Sequence, residues 1–199
     1  FIYLQVSGTT PAFPTYGGKH SMDYTEKLIR HINGYHGLIT DTTLDRVELQ
    51  NGGIALREVI DHPGGVTVIP VDEDGYVYCV RQYRYPIAEH LLEVPAGKLE
   101  RGEEPMEAAA RELSEETGIT AAEYISLGKV YPSPGFCREV LYIYLARKLT
   151  FGVPHLDDDE FLDVEKIHLD KLYKMAMENE LEDGKTVVAV LKAMNILGE

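Results

Sequence analysis

The chain has 199 residues, of which 44% are hydrophobic and 26% are charged, proportions that fit one folded globular domain or one domain with an appendage. The formal net charge of −14 argues against a nucleic-acid partner, because binding to phosphates along a duplex depends on lysine and arginine. No apolar run approaches the roughly 20 residues that cross a bilayer, so we expect no membrane partner.

Two features bear on processing and compartment. Residues 1–21 contain one lysine, no acidic residue, two prolines and three glycines, which fits either a leader left by cloning or a genuine flexible extension. Cys79 and Cys137 lie far apart and match no metal-ligand spacing. We therefore expect free thiols and a cytoplasmic protein, because the cytosol keeps cysteines reduced.

Residues 22–62 are expected to form an N-terminal region of one helix and several strands, which is a candidate dimerisation region. A short polar helix is predicted near residues 24–31, and β-type runs follow at residues 45–49 and 54–60. The Asn-Gly-Gly sequence at residues 51–53 is typical of a turn, so the two runs should pair as a hairpin.

Residues 63–199 are expected to form the main domain, of the α/β class. Runs of β-branched and aromatic residues predict strands at residues 66–71 and 76–82, joined as a second hairpin. The remaining predicted elements are strands at 125–130 and 140–146 and helices at 105–117, 169–179 and 185–197.

The first of these helices has local signals at both ends and two unlike faces. Pro105 suits a first helical turn, and Gly118 suits the position just after the last one. Glu112, Glu115 and Glu116 follow the i, i+3, i+4 spacing that places them on one side. Such an acidic face is most often a solvated stripe, and alone it is weak evidence for a metal site. The opposite face, predicted to pack against a sheet, consists of Met106, Ala109, Ala110, Leu113 and Thr117.

The motif that contains this helix changes the interpretation of its acids. From residue 97 to residue 119 the sequence is GKLERGEEPMEAAARELSEETGI: glycine, five residues, glutamate, seven residues, REL, one residue, EE, one residue, GI. This pattern resembles the Nudix box at every defining position, and the element order around it is similar to the Nudix hydrolase fold. The resemblance implies an α/β/α sandwich around a mixed β-sheet, with the N-terminal β-hairpin region added to it.

The chemistry of the motif is that of a divalent cation site. Mg²⁺ prefers hard oxygen ligands and keeps several waters, so clustered carboxylates can hold it and leave positions for phosphate oxygens. The resemblance implies Mg²⁺, with Mn²⁺ as the alternative ion, bound by Glu112, Glu115, Glu116 and the carbonyl of Ala96. Arg111 lies four residues before Glu115 and is a candidate to orient the acids, although an ordinary surface pair has the same spacing.

The residues beyond the motif resemble the ADP-ribose pyrophosphatase branch of the family. Tyr-Pro-Ser-Pro-Gly ends at Gly135. Its Ser133 and Gly135 and the later Glu139 are candidate substrate contacts, although SPG alone is a turn and Glu139 fits an exposed acid equally well. Arg57 and Arg84 are candidates for phosphate or ribose contacts, because a forked cation suits a diphosphate. Each of the two also fits an exposed strand arginine.

A second acidic run lies at residues 157–165, where the default expectation is a solvated loop. Members of the branch use a glutamate from a loop in this region as catalytic base, and the resemblance favours Glu160 for that role, with Asp158 as the rival. A base on a loop reaches the attacking water only when the loop closes over bound substrate.

The resemblance thus implies Mg²⁺-dependent hydrolysis of the diphosphate of ADP-ribose to AMP and ribose 5-phosphate. Its rivals are the same reaction on another nucleoside diphosphate sugar or dinucleotide, and a Nudix-fold sensor that binds a nucleotide without cleaving it. The resemblance also implies a homodimer in which the strands around residues 45–60 cross to the partner. In that dimer Arg57 would serve the neighbouring subunit's site.

Overall fold

The computed structural model describes residues 24–157 and 160–198. Residues 1–21, which composition sets apart, lie outside these ranges. The described elements, in chain order, are β1 (Lys27–His36), β2 (Asp41–Glu48), β3 (Ile54–Asp61), β4 (Gly65–Pro70), β5 (Tyr76–Arg84), β6 (Glu89–Glu93), β7 (Ala96–Lys98), α1 (Pro105–Thr117), β8 (Ile119–Val130), β9 (Leu141–Phe151), β10 (Leu162–His168), α2 (Leu169–Met177) and α3 (Gly184–Leu197).

A four-stranded mixed sheet, in the order β7-β4-β9-β8, lies at the centre of the domain. β4 runs parallel to β9 and antiparallel to β7, and all six of its residues are buried, as expected for a strand covered on both faces. Val66 and Val68 pack with α1 in one apolar cluster, whereas Ile69 packs with α2 and α3 in another. Helices therefore cover both faces of a mixed sheet, which confirms the predicted α/β/α sandwich.

The N-terminal region is a separate three-stranded antiparallel sheet, β1-β2-β3. The hairpin of β2 and β3 is confirmed, with Glu48 opposite Ile54 across the Asn-Gly-Gly turn. The helix predicted near residues 24–31 is wrong, because this segment enters β1, which pairs with β2 from Lys27 to His36. Cross-strand pairing satisfies the backbone groups of β1, and its isoleucines suit a strand better than a helix.

The second predicted hairpin is wrong in its pairing, although both of its strands form. β4 belongs to the central sheet, whereas β5 lies between β10 and β6 in a three-stranded sheet. The two strands share one bridge, between Val71 and Val77, beside a turn closed by the hydrogen bond from the Asp72 amide to the Tyr76 carbonyl. They diverge after the turn because each finds longer partners elsewhere, β4 in β9 and β5 in β10.

The helix α1 begins and ends at the predicted residues, and Gly118 caps it with a left-handed φ of 69°. The buried face differs from the prediction, because Met106 is exposed whereas Ala108, Glu112 and Glu116 are buried. This rotation turns part of the acidic face toward the interior of the molecule.

Both cysteines are free, as predicted, with Cys79 buried and Cys137 half-buried. Burial raises the pKa of the Cys79 thiol to about 12, which keeps it protonated at neutral pH. Within the described residues no helix is long and apolar enough to cross a membrane.

Candidate active site

A cavity of about 920 Å³ opens where the central sheet, α1 and α3 meet. Its wall is built from β7, the ends of β5 and α1, the segment between β8 and β9, and the start of α3. Glu116, Glu139 and Glu160 contribute acidic groups to the lining, and Arg84 and Lys185 contribute basic ones. Carboxylates and cations thus line one concave site, an arrangement that suits an anionic ligand bound together with a metal cation.

Two glutamates of the α1 acidic face are buried beside this cavity. Glu116 is only 3% exposed and lines the cavity, and Glu112 is also buried, one turn earlier on the helix. Burial, reinforced by the charge of Glu112, raises the pKa of Glu116 to about 8. Burial also raises the pKa of Glu112 above its ordinary value. Both carboxylates therefore lack the solvation that would favour their charged forms.

The strand β7 crosses directly against these acids. The amide of Ala96 donates a hydrogen bond to Glu116 Oε2 at 3.2 Å. A Cβ atom added at Gly97 would lie 2.0 Å from the carboxyl group of Glu112. Only glycine therefore leaves room for Glu112 in its observed position, which gives the first residue of the motif a steric reason.

Arg111 joins three glutamates of the motif. Its Nε donates to Glu103 Oε1 at 2.9 Å, and its Nη1 donates to Glu112 Oε1 at 2.8 Å and to Glu115 Oε2 at 2.9 Å. The hydrogen bond that Arg111 donates to Glu103, the charge of Glu112 and the hydrogen bonds to Glu115 and Glu112 raise the pKa of Arg111. Arg111 thus lies among the acids and contacts three of them, and Glu103 is a partner that we did not foresee.

The carboxylate oxygens of the α1 glutamates suit a divalent cation. Within residues 24–157 and 160–198, no three acidic, histidine or cysteine side chains already converge closely enough to enclose an ion. The hard oxygens of Glu112 and Glu116 nevertheless lie buried together, where they repel each other, and a dication would relieve this repulsion. Glu115 is more exposed than either, at 40% of its side chain, and contacts Arg111. The residue types and their burial therefore fit Mg²⁺ or Mn²⁺.

Glu160 is half-buried, lines the cavity, and lies close enough to Glu112 and Glu116 to raise the pKa of both by its charge. Its amide donates a hydrogen bond to the carbonyl of Asp157 at 3.0 Å. Asp158, the rival base, lies outside the described residues. Within the described part of the acidic run, Glu160 is the acid that lines the cavity.

Arg84 lies at the end of β5 and also lines the cavity. Its partner Glu93 is one that sequence reasoning missed. Its Nε and Nη2 donate to Glu93 Oε1 and Oε2, each at 2.6 Å. Glu93 is completely buried and also accepts a hydrogen bond from Lys185 at the start of α3. Burial opposes ionisation of Glu93, but these two cations outweigh it and hold its pKa below the ordinary value.

The Ser-Pro-Gly segment forms the turn that its composition indicates. The carbonyl of Ser133 accepts from the amides of Phe136 at 3.2 Å and Cys137 at 2.9 Å. Neither Ser133 nor Gly135 lines the cavity, whereas Glu139, farther along, does. Glu139 Oε1 lies 3.8 Å from His62 Nδ1, and His62 lines the cavity too. The Ser-Pro-Gly turn therefore leads the chain to Glu139 at the cavity, and no side chain of the turn itself lines the cavity.

Arg57 is placed away from the cavity. It lies on β3 of the N-terminal sheet, where its Nε donates to Glu26 Oε2 at 2.9 Å. The hydrogen bonds that Arg57 donates to Glu26 raise the pKa of Arg57. Within one described chain, Arg57 and Arg84 therefore do not converge, and a shared role of the two arginines needs a second subunit.

Glu93 and Lys185, the site residues that sequence analysis missed, are only weakly indicated by the sequence. Glu93 is one acid in the apolar run LLEVPA, and Lys185 follows an Asp-Gly pair that opens a helix. The two are 92 positions apart in sequence, so their contact is not visible in local spacing. A charge inside an apolar strand is nevertheless a usable clue, because it must find a partner when it is buried.

Comparison with known proteins shows the family and the fold of the chain. The NUDIX domain profile matches residues 61–189, which is more than half of the chain, so the chain belongs to the NUDIX family. This confirms the resemblance seen in the motif. A crystal structure of an ADP compounds hydrolase superposes with a TM-score of 0.77 at 20% identity, covering 87% of this chain and 95% of that one. At that identity the similarity shows the fold, and it confirms the Nudix architecture.

Two relatives are similar over most of their length. The chain is 40% identical over 167 residues to the ADP-ribose pyrophosphatase of Bacillus subtilis (strain 168), covering 83% of this chain and 90% of the relative. It is 38% identical over 169 residues to the methanol dehydrogenase activator of Bacillus methanolicus, covering 84% and 91%.

Proposed function

We propose that the protein is a Mg²⁺-dependent hydrolase that cleaves the diphosphate of ADP-ribose and releases AMP and ribose 5-phosphate. The observation that carries the proposal is the cavity in which the buried carboxylate of Glu116 on α1 lies near the guanidinium of Arg84. A diphosphate needs cations on its oxygens, and this site offers both a fixed cation and acids for a metal ion. The 40% identity to an ADP-ribose pyrophosphatase supports this substrate.

The reaction adds water across one phosphoanhydride bond. Glu112 and Glu116, with Glu115 and the carbonyl of Ala96, would hold the metal ion, which when bound supplies positive charge to the phosphoryl oxygens. Glu160 takes the proton from the attacking water, and Arg84 binds the diphosphate. Arg111 orients Glu112 and Glu115, while Glu139 accepts a hydrogen bond from a ribose hydroxyl. Ser133 and Gly135 shape the turn that leads to Glu139.

The proposal is tested with a substrate panel in the presence and absence of Mg²⁺, with AMP release as the readout. We expect turnover of ADP-ribose that depends on a divalent ion and exceeds turnover of GDP- and UDP-sugars and of dinucleotides. Glu116→Gln, checked for folding by circular dichroism, should abolish most of it. Near-normal turnover by that variant would place the chemistry elsewhere, and binding of ADP-ribose without AMP release would favour a sensor.

The role of Glu160 is tested separately by Glu160→Gln. We expect kcat to fall by about 10²- to 10⁴-fold, the usual contribution of a general base, with little change in Mn²⁺ affinity measured by titration. Asp163→Asn is the matched control, because Asp163 belongs to the same acidic run but lies exposed on β10. An unchanged kcat in Glu160→Gln would assign the base to another residue, with Asp158 tested next.

We also propose a homodimer formed through the N-terminal sheet, in the cytoplasm. All ten residues of β1 are exposed in the isolated chain, among them Leu28, Ile29 and Ile32. On β3, Ile54 and Leu56 are exposed as well. An apolar sheet surface of this kind is typical of a subunit interface. In the dimer Arg57 would contribute to the neighbouring subunit's cavity.

A further inference from the structure

Glu93 is a fully buried carboxylate that the proposed reaction does not use. It ends β6, within the apolar run that carries Leu92 and Val94 into the main core. A buried charge is costly unless it is paired and hydrogen-bonded. Because Glu93 is inaccessible, it cannot contact a substrate directly, so its effect on the site must pass through its partners.

The first partner, Arg84, is held by a two-point contact. Glu93 accepts from Nε and Nη2 of Arg84, each at 2.6 Å, which fixes the plane of the guanidinium. A guanidinium has five N–H donors, so three remain, two of them on Nη1. Glu93 is the one residue that accepts hydrogen bonds from the Arg84 guanidinium within the described parts of the chain. The exposed 38% of the Arg84 side chain lines the cavity.

The second partner, Lys185, ties this pair to another element. Its Nζ bonds Glu93 Oε2 and lies 2.9 Å from Asp183 Oδ1. Asp183 is the N-cap of α3, and Thr186 in the first turn accepts a hydrogen bond from the amide of Val94 at 2.9 Å. A hydrogen bond from the Val94 amide and the ion pairs of Lys185 thus join the end of β6 to the start of α3, next to the cavity.

We propose that Glu93 is a positioning residue that holds the guanidinium of Arg84 in the cavity with its Nη1 donors free for a phosphoryl oxygen, and that Lys185 fixes Glu93 in turn. The inference rests on the proposed function, because it assigns Arg84 to the diphosphate. A guanidinium fixed before binding loses little rotational freedom when the ligand arrives, so the charge–charge contact is gained at lower cost.

This role differs from a purely structural one in a measurable way. If Glu93 acts through Arg84, its removal matters only while a fork-shaped cation is present. Lysine has no fork and cannot use both carboxylate oxygens in the same fixed geometry. In an Arg84→Lys background, the loss caused by Glu93→Gln should therefore shrink. A structural role of Glu93 predicts the same loss in both backgrounds.

The test is a double-mutant cycle of Arg84→Lys and Glu93→Gln in the full-length protein. Steady-state kcat and KM are measured with ADP-ribose and Mg²⁺, and the dissociation constant of α,β-methylene-ADP is measured by calorimetry. We expect each single change to lower kcat/KM by about 10- to 100-fold, the range for a hydrogen bond to a charged group. In the Arg84→Lys background, Glu93→Gln should lower kcat/KM by about 2-fold or less.

Glu165→Gln is the matched control. Glu165 holds Arg81 of the same strand β5, with its Oε1 at 2.5 Å from Arg81 Nε, but neither residue lines the cavity. We expect its kcat/KM to equal that of the unchanged protein. A loss as large as that of Glu93→Gln would overturn the proposal, because removing any arginine partner from this sheet would then suffice.

A second variant covers the case in which Glu93→Gln does not fold. Lys185→Met removes one partner of Glu93 and keeps a side chain of similar length, and its loss should likewise shrink in the Arg84→Lys background. If the double variant instead loses the full product of the two single-variant losses in kcat/KM, the proposal is overturned. Failure of the proposed function is a separate outcome, because the unchanged protein would then not hydrolyse ADP-ribose. In that case the double-mutant cycle is evaluated from the dissociation constants of α,β-methylene-ADP.

Discussion

At the scale of single residues, Gly97 leaves the space beside the backbone that the carboxylate of Glu112 occupies. A methyl group there would lie 2.0 Å from the carboxyl carbon of Glu112 and 2.2 Å from its more distant oxygen. These atoms are the end of a flexible side chain, so the carboxylate can move away while the backbone stays in place. The cost of a side chain at residue 97 therefore falls on the site more than on the fold.

For this reason we expect Gly97→Ala to lower kcat by about 10- to 100-fold, the usual loss when a catalytic or metal-binding group is displaced by a small shift. The thermal midpoint should change by less than about 3 °C, which corresponds to about 1 kcal/mol at this chain length. Steady-state kinetics and thermal unfolding measure the two effects. A variant with full activity would show that Glu112 need not occupy its observed position.

Arg111 illustrates how one residue serves several others. Its planar guanidinium contacts Glu103, Glu112 and Glu115 at once, which lysine could not do with the same geometry. The i to i+4 relation to Glu115 was visible in the sequence. The contact with Glu103 depends on the loop that folds back before α1, so it became visible only in the structure.

At the scale of elements, α1 is positioned by its C-terminal cap. Gly118 has a φ of 69°, and its amide donates to the carbonyl of Ser114 at 2.8 Å. A Cβ atom there would lie 2.6 Å from the backbone carbon of Val153 and 2.7 Å from the nitrogen of Pro154. Gly118 therefore both ends the helix and lets the segment that follows β9 pass close to it.

We expect Gly118→Ala to lower the free energy of unfolding by at least about 2 kcal/mol, from roughly 1 kcal/mol of left-handed strain plus the overlap with backbone atoms. Gly102→Ala is the matched control, because Gly102 has a φ of 81° and nothing within 4 Å of an added Cβ. It should lose only the strain of about 1 kcal/mol. Urea unfolding measures both, and equal losses would rule out the steric contribution.

At the scale of the whole molecule, the N-terminal sheet leaves apolar side chains uncovered in a single chain. The proposed dimer is expected to appear as twice the 22.3 kDa chain mass in light scattering. Leu56→Asp should shift it toward monomer, because Leu56 is 56% exposed on β3 and a charge there would be desolvated in the interface.

The control for the dimer is Met177→Asp. Met177 is similarly exposed, at 60%, but ends α2 on a different part of the molecule. It should leave the mass unchanged. A monomeric unchanged protein would reject the dimer, and a Leu56→Asp variant that stays dimeric would place the interface on another surface.

What the sequence by itself determined was local. The bounds of α1 followed from Pro105 and Gly118, the hairpin of β2 and β3 from its Asn-Gly-Gly turn, and the family from one continuous motif. In each case the deciding interactions lie within a few residues along the chain. Capping, turn geometry and helical spacing therefore leave a readable pattern.

What only the tertiary structure decided depends on contacts between distant segments. The segment at residues 24–31 became a strand because β2 offered backbone partners, and β4 left β5 because β9 offered longer pairing. Glu93 met Arg84 and Lys185 because β5, β6 and α3 converge at one end of the cavity. A buried charge and an unpaired strand edge both require a partner. The need for a partner can be predicted from the sequence, but the residue that provides it is identified only by the tertiary structure.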